Sequence, residues 1–307
     1  MIPSLLQIPS AVSDSKLHSV LPNNGKGDFQ FDRSTGATRI NRDGLIEEVG
    51  YFSSELVQNG NFSELGSELV TNGDFSNGAT DWILGGSGLN KAKIENGVAT
   101  IISIDGNSYI QQNNVLTSGK QYKISYTIIS SSVNADALKL ISSFGISSIP
   151  TSIGEHTVYG TAITSTLYFE RLVNAQVEID NISVKQVDPN DNWTLVSTKF
   201  TGANTFENTA TNGRIFQSFT TIVGSKYKVS ATINSGTWNV VASTTNNTSG
   251  TIQSTGNTTT SEFFEFTATG TTTFLVLYNI GASGSVASIT NISVVEVQGD
   301  RPRLSYD

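Results

Sequence analysis

Apolar and polar residues alternate along most of this chain, and a period of two is the pattern of β-strands. In the stretch QYKISYTI, tyrosine and isoleucine occupy the even positions from 122 to 128, whereas lysine, serine and threonine occupy the odd ones. The even set is therefore predicted to face a core. Further alternating stretches follow at 138–144, 156–163, 165–173 and 177–187. The pattern predicts about eight strands before residue 188.

Several features of this region recur about one small domain later. The phrase NISV occurs twice, and its two asparagines, Asn181 and Asn291, are 110 residues apart. Trp193 follows Trp82 by 111 residues. Three more residues recur 105 positions on, namely Gln112, Gly119 and Tyr122 as Gln217, Gly224 and Tyr227. Because about 100 residues make a small β-sandwich, the pattern predicts two tandem sandwiches with different loop lengths.

The chain is predicted to have five zones. Residues 1–50 carry dense turn signals and few apolar residues, so this segment is expected to fold against other chains. Residues 51–66 are interpreted as a linker, in which ELVQNGNF is almost repeated at once by ELVTNGDF, and one copy is expected to be redundant. The two sandwiches are predicted at 67–187 and 188–298. A tail without a core of its own follows at 299–307.

The composition supports an all-β fold and argues against several functions. Charged residues make up 14% of the chain and cysteine is absent, so neither disulfides nor a thiolate zinc site stabilises it. The net charge of −8 and the lack of a Lys/Arg stripe argue against nucleic acid as a partner. The N-terminus lacks the basic region of a signal peptide, and no segment approaches the roughly 18 apolar residues of a membrane helix. We expect neither a cleaved secretion signal nor membrane insertion.

The order of motifs resembles a group of carbohydrate-binding modules. NGDFSNGATDW at 72–82, an amphipathic strand after LTSGK at 116–120, and AQVEIDNISV at 175–184 follow one another as in modules of the family 4/9 and 22 type. Those modules are jelly-roll β-sandwiches that accompany glycan-degrading enzymes and also occur in cell-surface and viral proteins. The resemblance implies a jelly-roll fold and a glycan-binding role.

The same resemblance implies a structural Ca²⁺ where the entrance strand meets the closing strand. Calcium takes six to eight oxygen ligands, some of them charged. Asp74 and Asp180 stand at the corresponding positions of the first unit, although Ser76 replaces a Glu that often follows the Phe. Thr290 replaces the closing Asp in the second unit, so Ca²⁺ is expected in the first sandwich only. The alternative is that Asp180 caps a turn or pairs with a nearby Lys.

Aromatic side chains are the candidates for stacking on sugars, because a flat ring presents a large, rigid apolar face. Trp82 and Trp193 recur at equivalent positions just inside each domain, which favours core packing for both. The glycan-binding candidates are Trp238, Tyr109, Tyr159 and Tyr168.

Catalytic groups are sparse. The chain has two histidines and no cysteine nucleophile, which removes most catalytic triads. Glycoside hydrolysis needs only two carboxylates, and four residues could supply such a pair, namely Glu155, Glu170, Glu178 and Asp180. Scattered carboxylates are typical of an acidic surface, so we expect no enzymatic activity.

A second resemblance concerns the flanks. Residues 4–50 resemble the N-terminal segment of many structural proteins of tailed bacteriophages, including fibres and head or tail appendages. In those proteins a stretch similar to RPRLSYD (301–307) follows soon after the equivalent of LIEEVG (45–50). Here the sandwiches separate the two stretches. The resemblance therefore implies that both sandwiches are inserted into a loop of a small, irregular β anchoring module.

Together these observations predict a non-enzymatic protein of the virion surface, assembled in the host cytoplasm. It would be a fibre, spike or capsid decoration that trimerises through residues 1–50 and contacts capsid or tail proteins. Its sandwiches would attach weakly and multivalently to glycans of the host or its surroundings. Two alternatives remain, a structural appendage without a ligand and the binding part of a glycan-active enzyme.

Overall fold

The computed structural model describes residues 52–297 and, before them, the backbone of five short strands. Side chains are described throughout 52–297 except those of Glu262 and Phe263. The early strands are β1 (Pro9–Ser13), β2 (Lys16–Ser19), β3 (Phe29–Gln30), β4 (Ala37–Ile40) and β5 (Ile46–Val49). The first three form one antiparallel sheet, and β4 pairs with β5. The predicted tail at 299–307, and its packing on residues 1–50, lie outside the described residues.

The first sandwich consists of two antiparallel sheets. Its strands are β6 (Leu65–Glu68), β7 (Ile83–Gly86), β8 (Lys93–Glu95), β9 (Val98–Ser103), β10 (Ser108–Gln112), β11 (Gln121–Ser131), β12 (Leu138–Leu140), β13 (Ile146–Ile149), β14 (Gly154–Thr161), β15 (Leu167–Arg171) and β16 (Ala175–Val187). A 3-10 turn at Gly88–Asn90 and one short helix, α1 (Ile141–Phe144), accompany them. We call the sheet β7-β10-β15-β12-β13 the front sheet and the sheet β8-β9-β16-β11-β14, to which β6 is added beside β16, the back sheet.

The second sandwich repeats this plan with ten strands. They are β17 (Thr194–Val196), β18 (Thr198–Phe200), β19 (Thr205–Asn208), β20 (Arg214–Thr220), β21 (Lys226–Ser235), β22 (Trp238–Ser243), β23 (Thr251–Ser254), β24 (Glu262–Thr267), β25 (Thr272–Asn279) and β26 (Val286–Val297). The front sheet has the order β17-β20-β25-β22-β23, and the back sheet has the order β18-β19-β26-β21-β24. A 3-10 turn at Thr248–Gly250 precedes β23.

Apart from β6, each strand of the first sandwich has a counterpart in the second, and the paired residues correspond. Gln112 lies opposite Leu167 in the first front sheet, and Gln217 lies opposite Leu275 in the second. The even residues of β11 from 122 to 128 are buried, as the alternation predicts, and each sandwich encloses its own apolar core. The prediction of an all-β chain with two tandem jelly-roll sandwiches is therefore confirmed.

The two entrance motifs, residues 55–63 and 68–76, belong to different sandwiches. Val57 and Phe62 of the earlier copy lie in the core of the second sandwich, whereas Val70 and Phe75 of the later copy lie in the core of the first. The chain thus begins the second sandwich, builds the whole first sandwich, and then returns to complete the second.

This nesting corrects three expectations. The prediction that one copy of the motif is redundant is wrong, because each copy closes one core. The interpretation of 51–66 as a linker is wrong for residues 52–64, which pack within the second sandwich. The predicted bounds of the second sandwich, 188–298, omit its first part: it consists of 52–64 together with 188–297, and its entrance motif has Asn61 in place of Asp74.

Equivalent hydrogen bonds seat each entrance motif. The Glu55 carboxylate accepts from the backbone N–H groups of Leu56, Val57 and Val294, and the Glu68 carboxylate accepts from Leu69, Val70 and Val184. In each sandwich a buried glutamine side chain also accepts from the backbone N–H, and donates to the backbone carbonyl, of one motif residue. Gln217 binds Gln58 in this way, and Gln112 binds Thr71. One pattern of contacts is therefore used twice.

The repeated NISV phrase is explained by the same contacts. Asn181 and Asn291 both have a φ of 51°, a left-handed conformation that asparagine tolerates better than most residues. Each lies at a register shift of its sheet. The N–H of the following Ile182 donates to the carbonyl of Gly73 at 2.9 Å. A Cβ at Gly73 would lie 2.0 Å from the Ile182 carbonyl oxygen, so the glycine is required there.

A buried carboxylate, Asp188, joins the two sandwiches. It follows the last strand of the first and is 4% exposed. Its oxygens accept from the side-chain amides of Asn59 and Asn192 at 2.9 Å and from the backbone N–H of Trp193 at 2.8 Å. Both chain crossings between the sandwiches are thereby tied to the second core.

Candidate functional site

A cleft of about 410 Å³ opens on the outer face of the first front sheet. In the strands that form it, buried residues alternate with half-exposed ones, and the half-exposed set faces the cleft. The ladder places Gly85, Tyr109, Glu170 and Lys139 side by side across four neighbouring strands. Tyr168 lies one row away. We call this site the tyrosine cleft.

Two of the predicted aromatic residues meet in this cleft. The ring centroids of Tyr109 and Tyr168 are 5.7 Å apart, and the rings are inclined at 62° in an edge-to-face arrangement. Tyr109 lies over Gly85 on the adjacent strand, where a Cβ would come within 2.1 Å of its Cζ atom. The missing side chain at Gly85 therefore lets the Tyr109 ring lie down against the sheet.

Polar groups surround the two rings. The Glu170 carboxylate accepts from the Ser142 backbone N–H at 2.9 Å and from its hydroxyl at 3.0 Å, so the start of α1 holds it in place. Lys139, directly opposite Glu170, takes part in no ion pair with any residue described between 52 and 297. The cleft thus offers a fixed acceptor and an available cationic donor beside apolar ring surfaces.

Such a combination suits a polyhydroxylated ligand. Clefts that bind small molecules pair aromatic surface with a few placed polar groups, the rings supplying contact area and the polar groups fixing orientation. Lys139, Glu170 and Ser142 were not predicted as glycan ligands. Only the pairing of strands brings them beside the tyrosines, and the sequence carried no signal for that pairing.

The prediction for Trp238 is wrong. Its side chain is 1% exposed and lies in the core of the second sandwich, edge-to-face with Phe206. Trp238 lies opposite Asn279 as Leu138 lies opposite Arg171, so it occupies the core position that Leu138 fills in the first sandwich. No face of its ring is free to stack on a sugar.

Tyr159 does not belong to the cleft. It lies on β14 of the back sheet and packs against the core of the second sandwich. Burial raises the pKa of its hydroxyl above the usual value. Tyr159 therefore serves contact between the sandwiches, and its prediction as a glycan ligand is wrong.

Trp82 and Trp193 pack as predicted. They are 6% and 3% exposed. Each indole N–H donates to an asparagine carbonyl within its own entrance motif, Trp82 to Asn72 at 2.9 Å and Trp193 to Asn59 at 3.1 Å. Both tryptophans are structural.

At the place equivalent to the tyrosine cleft, the second front sheet is covered by its own side chains. Register places Arg214, Tyr278 and Asn239 where the first sandwich has Tyr109, Glu170 and Lys139. The Arg214 guanidinium lies 6.0 Å from the centre of the Tyr278 ring, and its Nε donates to the Asn246 carbonyl at 3.0 Å. Val276, in the position of Tyr168, is fully buried. The tyrosine cleft is not duplicated.

The carboxylates weighed for hydrolysis do not converge in the tyrosine cleft. Glu170 lies in the tyrosine cleft, whereas Glu155, Glu178 and Asp180 lie on back-sheet strands β14 and β16. Glu170 is the one carboxylate among the described residues that line the cleft. A pair flanking a bound sugar is therefore not assembled there from these residues.

The two residues predicted to bind Ca²⁺ have local hydrogen-bond partners. One oxygen of Asp74 accepts from the Ser76 backbone N–H and hydroxyl, and these bonds lower the pKa of Asp74 below its ordinary value. One oxygen of Asp180 accepts from the Asn181 N–H at 2.6 Å. Within the described part of the chain, no three His, Cys, Asp or Glu residues cluster as metal ligands. If Ca²⁺ binds in the first sandwich, Asp74 and Asp180 would be its charged ligands, and backbone carbonyls would have to complete the shell.

The fold and the cleft define a class, an all-β protein of two nested sandwiches with a cleft on the outer face of the first front sheet. No helix among the described residues has the length and apolar character to span a membrane. No protein-family model matches the sequence, and no curated protein matches it.

Solved structures with some similarity to this chain include the CBM22-1-CBM22-2 tandem domain of Paenibacillus barcinonensis Xyn10C. That match has 10% identity and a TM-score of 0.28 and covers 77% of this chain and 99% of the other. Another is the isomalto-dextranase of Arthrobacter globiformis T6 complexed with panose, at 9% identity and a TM-score of 0.23, covering 64% and 36%. A third is the triple jelly-roll turret protein of an archaeal virus, at 19% identity and a TM-score of 0.18, covering 72% and 60%.

Proposed function

We propose that the chain is a non-enzymatic glycan-binding protein whose tyrosine cleft holds one or two sugar residues. The observation that carries the proposal is the pair of outward tyrosines beside Glu170 and Lys139 on one sheet face. The rings contact the apolar face of a sugar, while the carboxylate and the ammonium group exchange hydrogen bonds with its hydroxyls. The binding-module structure among the similar folds is in keeping with this role.

A single cleft of this kind binds weakly. Two aromatic rings and a few polar groups on an open sheet correspond to a Kd near ~1 mM, or about −4 kcal/mol. Display of several copies on one particle raises the overall avidity by ~10² to 10⁴ without new contacts. We therefore place the chain on a bacteriophage virion as a fibre, spike or capsid decoration, supported by the resemblance of residues 4–50 to phage structural proteins.

The glycan-binding proposal is tested by displaying the intact chain at high density on beads and probing arrays of bacterial surface polysaccharides. We expect retention on a subset of glycans that is lost when the free oligosaccharide competes at millimolar concentration. An array without any retained glycan would favour the alternative of a purely structural appendage. Release of reducing sugar from a retained glycan would instead favour the enzyme alternative.

The proposed trimer is tested separately by sedimentation of the intact chain. Ordering residues 1–50 costs about 1–2 kcal/mol per residue in backbone entropy, and this segment has few apolar residues to offset the cost. We expect a trimer whose N-terminal segment resists protease. A stable monomer in which residues 1–50 still resist protease would contradict self-association.

A further inference from the structure

The first sandwich rests on the second through one of its poles, the end where β11 begins and β16 finishes. Val187, the last residue of β16, is buried in the core of the second sandwich. The side-chain oxygen of Gln121 accepts from the Phe200 backbone N–H at 2.7 Å. Lys120 forms an ion pair with Asp191. On the side of the first sandwich, this interface is formed by the end of β16, the start of β11 and the loop residue Lys120.

The second sandwich has the same pole at the start of β21 and the end of β26. Val297 is the counterpart of Val187, because Tyr227 pairs with the residue before Val297 just as Tyr122 pairs with the residue before Val187. The described chain also enters and leaves here, since Phe52 is bridged to Val297 as Leu65 is paired with Val187. The described chain therefore enters and leaves the second sandwich at this pole. The equivalent pole of the first sandwich is the one that contacts the second sandwich.

The loop at this pole is apolar in the second sandwich. Ile222 and Val223 are 61% and 59% exposed. They occupy the positions of Thr117 and Ser118 in the first sandwich, as the backbone contacts show: the N–H of Thr117 donates to the Tyr122 hydroxyl, and that of Ile222 donates to the Tyr227 hydroxyl, both at 2.8 Å. These two adjacent β-branched residues add exposed apolar area at the pole where the chain enters and leaves the sandwich.

We propose that this pole, formed by Phe52, Ile222, Val223 and Val297, is the docking surface for the remainder of the same chain, residues 1–51 together with 298–307. The second sandwich docks on that module as the first sandwich docks on the second. The occupant follows from the first interface, in which the chain immediately adjoining the sandwich, Glu64 and 188–192, forms part of the partner surface beside Phe200. The counterparts of those segments are the residues before Phe52 and after Val297.

The test uses the absence of native cysteine. Two full-length variants are made, Ile222→Cys at the pole and Ile153→Cys as a control on an exposed loop of the first sandwich, 76% exposed. Both are first confirmed to melt like the wild type. We expect maleimide to react at least tenfold more slowly with the thiol at position 222 than with the thiol at position 153.

A photoreactive maleimide on each thiol then identifies the occupant. The sample mixes isotope-labelled and unlabelled chains, so that mass spectrometry separates cross-links within a chain from those between chains. We expect cross-links from position 222 to peptides of 1–51 or 298–307 of the same chain, and none from position 153 to those peptides. Equal reaction rates at the two positions, or cross-links from position 222 that join two chains, would overturn the proposal.

Discussion

At the scale of single residues, the shape of the tyrosine cleft depends on a residue that is not among those lining it. Gly85 leaves the space in which the Tyr109 ring lies against the sheet. An added methyl group would lift the ring and change the angle between the two tyrosines. The geometry of the cleft is therefore set by the neighbouring strand as well as by the tyrosines.

We predict that Gly85→Ala weakens glycan binding about threefold to tenfold, or ~0.7–1.4 kcal/mol, because the Tyr109 ring must leave its position. The measurement is competition of a retained oligosaccharide against beads carrying each variant. Gly66→Ala is the matched control, since the nearest atom to a Cβ there is 3.5 Å away and nothing must move. Equal affinity of the two variants would show that the lowered ring position is unimportant.

Asp180 gives a second prediction at this scale. If Ca²⁺ joins the entrance and closing segments of the first sandwich, Asp180→Ala removes a charged ligand and lowers the Tm in calcium but not in chelator. Thr290→Ala is the control in the second sandwich, where the Thr290 hydroxyl lies 3.5 Å from the Asn61 carbonyl oxygen. A wild type that melts at the same temperature with and without chelator would contradict the calcium proposal.

Tyr109 and Tyr168 were predicted as glycan-binding candidates from residue type alone, as aromatic side chains that can stack on sugars. The sequence did not predict whether Trp238 faces the core or the solvent. Apolar residues stand at both odd and even positions of WNVVA, so they do not specify which face of the strand is buried. The sequence could not predict that Lys139 and Glu170 are neighbours, because they meet only through the pairing register of β12 and β15. The sequence therefore indicated which side chains could bind a glycan, but not which of them lie close together in the fold.

At the scale of elements, the two entrance motifs show where local sequence stops being informative. Both copies carry the same pattern, so nothing within either one states which sandwich it enters. Adjacency suggested that both lie before the first sandwich. Each phenylalanine nevertheless packs on the tryptophan of its own sandwich. The ring centroids of Phe62 and Trp193 are 5.1 Å apart, and those of Phe75 and Trp82 are 5.3 Å apart.

The nesting predicts that the earlier entrance motif stabilises the second sandwich and that the later motif stabilises the first. Phe62→Ala should destabilise the second sandwich by about 3–5 kcal/mol, and Phe75→Ala should destabilise the first by a similar amount, since each removes a fully buried ring. Hydrogen exchange detected by mass spectrometry separates the two effects. Phe62→Ala should speed exchange in peptides of 198–297, and Phe75→Ala in peptides of 98–187. Faster exchange confined to the first sandwich in both variants would contradict the nested topology.

At the scale of the whole molecule, the chain crosses between the sandwiches twice, and Asp188 binds both crossings to one core. Two crossings restrict relative motion more than the single linker of ordinary tandem domains. The tyrosine cleft is therefore presented in a fixed orientation relative to the pole from which both flanks depart. A fixed orientation favours simultaneous engagement of several copies when they are displayed together.

The most direct test of the glycan-binding account is calorimetric titration of a retained oligosaccharide into three forms of the intact chain. These are the wild type, Tyr109→Ala/Tyr168→Ala in the cleft, and Arg214→Ala/Tyr278→Ala on the equivalent face of the second sandwich. With each aromatic contact worth about 0.5–1.5 kcal/mol, loss of the two contacts costs about 1–3 kcal/mol. We therefore expect binding at least about fivefold weaker for the cleft variant and wild-type affinity for the control. Unchanged affinity in the cleft variant, or a matching loss in the control, would contradict the glycan-binding account.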